Sequence, residues 1–240
     1  MRLILPAAML AAFLLATTSA DAAQVQSNLT GNVQFDGWDV LGGIPGYGFN
    51  DVGVDFNGPA PPNPSPFWPS PLGSFETGSG DATLNRTFGT HWSASGSLYS
   101  FAGPSGFTLG DASAIAGLET VFFAITEWVG SSPSSPPVLS INGGTPVGPA
   151  PLSNSVAAGG FGGPQGPVSL VTNFYQWDLT SIAAPITSFA INWTQGSSAG
   201  IIGLQLEQSD SFAVATPTVP EPTSLLLAGL GTAGVVAARR

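Results

Sequence analysis

Three stretches in the second half of the chain alternate apolar and polar residues with a period of two. Tyr175, Trp177 and Leu179 alternate with Gln176, Asp178 and Thr180. Phe189, Ile191 and Trp193 alternate with Ala190, Asn192 and Thr194, and Ile202, Leu204 and Leu206 alternate with Gly203, Gln205 and Glu207. Successive side chains of a strand point to opposite faces, so each stretch reads as a β-strand with one dry and one polar face. Gly196-Ser197-Ser198-Ala199-Gly200 separates the last two and reads as the turn of an antiparallel hairpin. A one-residue slip would put Trp193 or Leu204 in water, which fixes the register.

Earlier segments extend the pattern. Residues 121–129 are apolar on both faces and predict an interior strand, with a short buried helix as the alternative. Residues 97–101 and 106–109 predict a hairpin around Ala102-Gly103-Pro104-Ser105. Residues 33–40, 82–88 and 138–142 predict further strands. Two stretches resist this reading. Residues 59–71 hold seven prolines and carry Phe67 and Trp68, which predicts a polyproline-like loop. Residues 142–167 hold thirteen Gly or Pro, which predicts a long loop. Many short strands with turn signals between them place the chain in the all-β class, as a single antiparallel β-sandwich with long Pro/Gly-rich loops.

Both ends differ from this middle. Arg2 followed by the apolar run 3–16 and by Ala20-Asp21-Ala22 has the layout of a signal peptide with a small-x-small cleavage site, giving a cut after Ala22 or Ala23. At the other end Pro220 and Pro222 flank Glu221, so a helix can start there but cannot run back through it. Residues 223–238 are uncharged, and Arg239 and Arg240 follow. Sixteen helical residues span about 24 Å, against the ~30 Å of a bilayer core. Arginines at such an end snorkel and mark the cytoplasmic side. The segment therefore reads as a short transmembrane helix.

Pro220-Glu221-Pro222, an apolar helix and a terminal Arg239-Arg240 pair, in that order, resemble the PEP-CTERM protein-sorting signal of Gram-negative bacteria. The resemblance covers about the last 22 residues. It implies recognition by an exosortase, a membrane cysteine transpeptidase, with cleavage near the Pro-Glu-Pro motif and loss of the helix. It further implies delivery to the cell surface or extracellular matrix of a host that makes exopolysaccharide. The order of the middle segments is similar in layout to the jelly-roll, galactose-binding-like sandwiches that such proteins often carry. The expected organisation is a signal peptide over 1–22, a β-sandwich ectodomain over 23–208, a linker over 209–218 and the sorting signal over 219–240.

Composition narrows the function. Between residues 23 and 218 there are 12 acidic residues and one basic residue, Arg86, for a net charge near −11. Phosphate contact needs Lys and Arg, so nucleic acid and anionic membrane surfaces are poor partners. The chain has no cysteine, so a hydrophobic core rather than disulfides must hold it together, and six Trp and fifteen Phe are available for one.

The same composition thins the catalytic options. Without Cys or Lys, nucleophilic catalysis would need a serine triad on His91, the single histidine, and no Gly-x-Ser-x-Gly elbow is present. One His and no Cys do not make a zinc site. Glu119 and Glu127 are a glycosidase pair by residue type alone. Eight residues of strand would hold them about 26 Å apart, too far to act together, and they read as solvated strand-end carboxylates. Asp36, Asp39, Asp51 and Asp55 are oxygen donors suited to calcium, without the spacing of an EF-hand. Sugar recognition uses exposed aromatic faces beside polar groups. Trp38, Trp68 and Trp92 are the candidates, whereas Trp177 and Trp193 read as core.

The function expected from these features is that of an exported, non-enzymatic surface or matrix protein, structural or glycan-associated. Its expected partners are an exosortase and an extracellular polysaccharide, with the membrane engaged through the C-terminal helix before processing. A secreted carbohydrate-active enzyme and an unprocessed single-pass anchored protein are the alternatives.

Overall fold

The computed structural model describes residues 25–38, 41, 71–74, 76, 78–89, 92–94, 97–99, 103–131, 133–144, 146–149, 152–163 and 166–218, with backbone alone for 92–94, 97, 149, 152–163 and 166–168. The strands in chain order are β1 (Val33–Trp38), β2 (Leu72–Gly73), β3 (Thr83–Phe88), β4 (Trp92–Ala94), β5 (Ser97–Tyr99), β6 (Ser105–Asp111) and β7 (Thr120–Trp128). They continue with β8 (Val138–Ile141), β9 (Pro146–Pro149), β10 (Leu152–Gly163), β11 (Gly166–Asp178), β12 (Phe189–Gln195) and β13 (Gly200–Ser209). No helix occurs among the described residues that is long and apolar enough to cross a membrane, and the apolar C-terminal run lies outside them.

These strands form two antiparallel sheets. The first runs β10-β11-β7-β13-β5-β4, with β1 also on β13; the second runs β2-β3-β6-β12-β8-β9. The sheets share one buried core. Val121, Phe123 and Ile125 of β7 and Tyr175 and Trp177 of β11 contribute from one side, and Phe107, Leu109, Ile191 and Trp193 from the other. The Phe123 and Trp193 rings meet across the gap with centroids 5.2 Å apart, and Trp193 stacks on Phe107 at 5.2 Å. Trp177 and Trp193 are thus core residues, as their alternation predicts.

Residues 121–129 form the interior strand expected of them: β7 lies between β11 and β13 and is buried on both faces. Its second face, with Phe122 and Ala124, joins Phe174 of β11 and Val25 in a smaller cluster against which Leu29 and Ala215 pack. Two terminal segments, 25–30 and 211–218, therefore cover the outer surface of the larger sheet.

Three expectations are corrected. Strands 189–195 and 200–209 do not form a hairpin: β12 pairs with β6 and β8, and β13 with β1, β5 and β7. The connection 196–199 crosses between the sheets. Both strands turn a dry face to the one core, and this is satisfied equally well from opposite sides of it. The 97–101 and 106–109 pairing fails for the same reason, since β5 lies in the larger sheet and β6 in the smaller. The supposed long loop 142–167 contains β9, all of β10 and the start of β11. Backbone pairing over Asn154–Ala157 and Gly160–Gly163 holds it in spite of its glycines.

Candidate functional site

The inward face of β7 ends in a carboxylate. Glu127 continues the row Val121, Phe123 and Ile125, and it is fully buried. Its oxygens accept hydrogen bonds from Asn173 Nδ2 and Gln195 Nε2, each at 2.6 Å, and Gln195 Nε2 also donates to the Ser131 carbonyl. Glu127 is therefore an interior group bridging the two sheets, not the solvated strand-end carboxylate its position suggests. The Tyr175 hydroxyl has its pKa pushed up to about 12, by burial first and by the Glu127 charge second. Buried polar atoms without a partner flank this region: Gln195 Oε1, the Ser105 hydroxyl on the adjoining strand, and the indole nitrogens of Trp128 and Trp193. Glu119, just before β7, is half-buried and borders an open depression of about 730 Å³ between segments 113–119 and 179–187. That depression is lined by residues such as Ala114, Leu118, Ile182 and Pro185, with no aromatic face for a sugar.

A second polar node lies where β1, β6 and β13 meet. Asp36 is fully buried, accepting from Ser74 Oγ at 2.7 Å, the Ala82 amide at 3.2 Å and Gln34 Nε2 at 3.5 Å. Burial raises its pKa in spite of these donors. Asp111 accepts from Gln34 Nε2 at 3.3 Å, from Gln208 Nε2, and from the Ser113 amide at 2.6 Å. The expected calcium ligand Asp36 is thus buried in the interior, with Ser74, Ala82 and Gln34 as its hydrogen-bond donors. Among the described residues no three His, Asp or Glu side chains gather as a metal site. Asp39, Asp51 and Asp55 lie outside the described residues, as does His91.

Trp38 is corrected as a sugar contact. It sits opposite Leu204 in the β1–β13 register, is completely buried, and donates its indole N–H to the Gly73 carbonyl at 3.1 Å. Asp36 and Trp38 are two residues apart and so share the inward face of β1; proximity to acidic residues in sequence did not mean exposure. The backbone of Trp92 is in β4 opposite Tyr99, and Trp68 lies outside the described residues.

The third node is where the terminal segments meet. Glu207 of β13 faces outward but is buried beneath residues 25–27, accepting from Ser27 Oγ and Gln205 Nε2. Burial raises its pKa, and the two donors offset this only in part. Gln205 also holds the backbone of Val25, accepting from its amide at 2.9 Å and donating to its carbonyl at 2.7 Å. Gln176 of β11 brackets the C-terminal segment, donating to the Ala213 carbonyl at 2.7 Å and accepting from the Ala215 amide at 2.9 Å. Gln26 and Thr218 close the arrangement as an antiparallel bridge. The expected linker 209–218 is thus a docked strap whose first residue, Ser209, belongs to β13. Its amide-to-backbone holds carry no sequence signal, because a glutamine that brackets a distant segment looks like any other on a polar face.

The chain therefore reaches Thr218 fixed against the fold, and the sorting signal starts there. Residues 218–240 match the PEP-CTERM protein-sorting motif. The motif marks an exosortase-sorted, exported protein with a transient membrane anchor. No curated protein and no solved structure matches the chain. The motif residues Pro220, Glu221, Pro222, Arg239 and Arg240, and the signal-peptide residues Ala20 and Ala22, lie outside the described residues.

Proposed function

We propose that this is a non-enzymatic structural protein of the bacterial surface or extracellular matrix, released from its membrane anchor by an exosortase-type transpeptidase. The observation that carries the reading is the sorting motif at 218–240, which begins at the residue that bridges to Gln26. A folded domain presented right up to its sorting signal suits a cargo delivered intact. Residue Val25 lies on the same outer surface, next to the Gln26 that bridges to Thr218.

We read the two sheets as a jelly-roll sandwich. In support, β6, β7 and β8 alternate between the sheets, β11, β12 and β13 do likewise, and the first strand pairs with the last. Polysaccharide is the proposed ligand, through Trp68 and Trp92 rather than Trp38. Calcium belongs to the reading only through Asp39, Asp51 and Asp55. The non-enzymatic reading is supported by the placement of Glu127, whose carboxylate is enclosed between the sheets and held by two amides.

The test is the intact mass of the protein recovered from its host and fractionated into membrane, surface and medium. A C-terminus between Val219 and Pro222 outside the membrane fraction is expected. A full-length chain still carrying Arg239 and Arg240 in the inner membrane would overturn the release step. Turnover of host exopolysaccharide, lost on replacing a carboxylate, would overturn the non-enzymatic reading.

A further inference from the structure

Among the described residues the two sheets have five edge strands, and four of them are blunted or covered. The smaller sheet ends in β2, two residues long, and in β9, four residues that begin and end in proline. The larger sheet ends on one side in β4, three residues long, and in β1, whose Phe35 and Gly37 carbonyls are covered by the Gly80 and Glu76 amides. Short edges and prolines are the usual means of preventing strand addition. The fifth edge, β10, is different. It is twelve residues long, contains no proline, and pairs only with β11 among the described strands.

Charge sets β10 further apart. No Asp, Glu, Lys or Arg occurs between Glu127 and Asp178, in a chain whose 23–218 portion carries a net charge near −11. Two copies of this acidic protein repel each other over most of their surface, and β10 is a long edge from which that repulsion is missing. The strand also outruns its sheet. Trp128 of β7 pairs with Leu170 and the Val129 amide donates to the Ser169 carbonyl, whereas Phe161–Gly163 and Gly166–Val168 are paired with each other alone among the described strands. This leaves a glycine-rich ribbon about three residues, or ~10 Å, long beyond that point. Glycine-rich ribbons specify their own register weakly and accept other pairings. The β10 bulge between Ala157 and Gly160 interrupts the edge but leaves the regular runs Asn154–Ala157 and Gly160–Gly163 on either side.

We propose that β10 is the surface through which this protein pairs with a second copy of itself, β10 against β10 and antiparallel, about a two-fold axis. Antiparallel pairing of one strand with its own copy is self-complementary and uses up the edge on both partners, so assembly stops at a dimer. The larger sheets of the two copies become one continuous sheet. The contact depends on backbone hydrogen bonds and not on charge, so it is insensitive to salt and to EDTA. It is independent of the sorting route.

The test uses the protein as exported by its host. Native mass spectrometry and sedimentation equilibrium over a concentration series are expected to give a reversible monomer–dimer equilibrium unchanged by salt. A Ser155→Lys/Val156→Lys double variant places one lysine on each face of β10, whichever way the strand is turned. It is expected to weaken the dimer about tenfold or more. The substitutions reduce the net negative charge, so general repulsion changes in the opposite direction. Hydrogen exchange of the unaltered protein supplies a reading that does not depend on the variant folding: amides of 154–163 are expected to be protected more at dimeric than at monomeric concentration. A monomer at every concentration, a folded variant that dimerises as tightly as its parent, or β10 amides that exchange equally in both states would each overturn the proposal.

Discussion

Gln26 and Thr218 face each other as an antiparallel bridge, each donating its backbone N–H to the other's carbonyl at 3.0 Å. With the Thr216 amide on the Ser27 carbonyl at 3.2 Å, the bridge joins two segments nearly the whole chain apart. Together they close the outer surface of the larger sheet over Phe122, Ala124 and Phe174. The strap 211–218 is therefore part of the fold, and the sorting signal follows it without an intervening flexible tether.

Gln176→Ala tests the strap. The substitution removes both side-chain hydrogen bonds that hold Ala213 and Ala215. A net loss of about 1–2 kcal/mol is expected in urea unfolding, with faster amide exchange over 213–218. A change below about 0.5 kcal/mol would show that the segment is a loose linker.

Glu127→Ala distinguishes an interior bridge from a surface carboxylate. The variant removes the acceptor of the Asn173 amide inside the core and leaves the Gln195 amide only the Ser131 carbonyl. A loss of about 3 kcal/mol or more is expected in chemical denaturation. A solvated strand-end residue would cost about 0.5 kcal/mol or less.

Stability should fall as pH rises above the ordinary carboxylate range. Asp36 and Glu207 both have pKa values raised by burial, so the folded state holds their protons after the unfolded chain has released them. Their contribution is fully present below the ordinary carboxylate range of about 4 and is lost as pH climbs through the raised folded values. Asp210 acts oppositely at lower pH, because the Asn32 backbone amide and side chain depress its pKa, but it is fully exposed and its effect is small. Melting temperature is expected to decline as pH rises above the ordinary carboxylate range of about 4. Glu207→Gln is expected to flatten that decline, because the Ser27 hydroxyl can turn to accept from the new amide. A melting temperature that rises with pH above this range, or a profile unaltered by Glu207→Gln, would refute the assignment.

Trp38→Ala should act on stability alone. The indole is completely buried against the shared core and hydrogen-bonded to Gly73. A loss of about 3–5 kcal/mol is expected from the cavity it leaves. Binding to host polysaccharide, measured by affinity electrophoresis at a temperature where the variant is folded, should match the parent. Selective loss of binding would return Trp38 to the ligand surface.

The local pattern made much of the secondary structure legible. Period-two alternation located β12, β13 and the end of β11, and an apolar run on both faces located β7, because side-chain direction along a strand depends only on local backbone geometry. The sorting signal was legible for a related reason: it is a contiguous string whose parts are read in order. What alternation does not encode is which sheet a strand joins. The dry faces of β12 and β13 fit the core from either side, so only packing of Trp193 on Phe107 and of Leu204 beside Ile125 decides that they part. Nor does it encode what covers an outward face. Gln205 and Glu207 look like solvent-facing residues until segments 25–27 and 211–218 return over them, and Glu127 looks like a strand end until Gln195 reaches it from the opposite sheet. The sequence by itself determined the strand-rich class, the acidic and cysteine-free character of the domain and its export address. Sheet membership, the burial of Asp36, Trp38, Glu127 and Glu207, and the docking of the terminal strap were decided by the tertiary structure. Each depends on contacts between residues far apart in the chain, whose partners no local spacing can name.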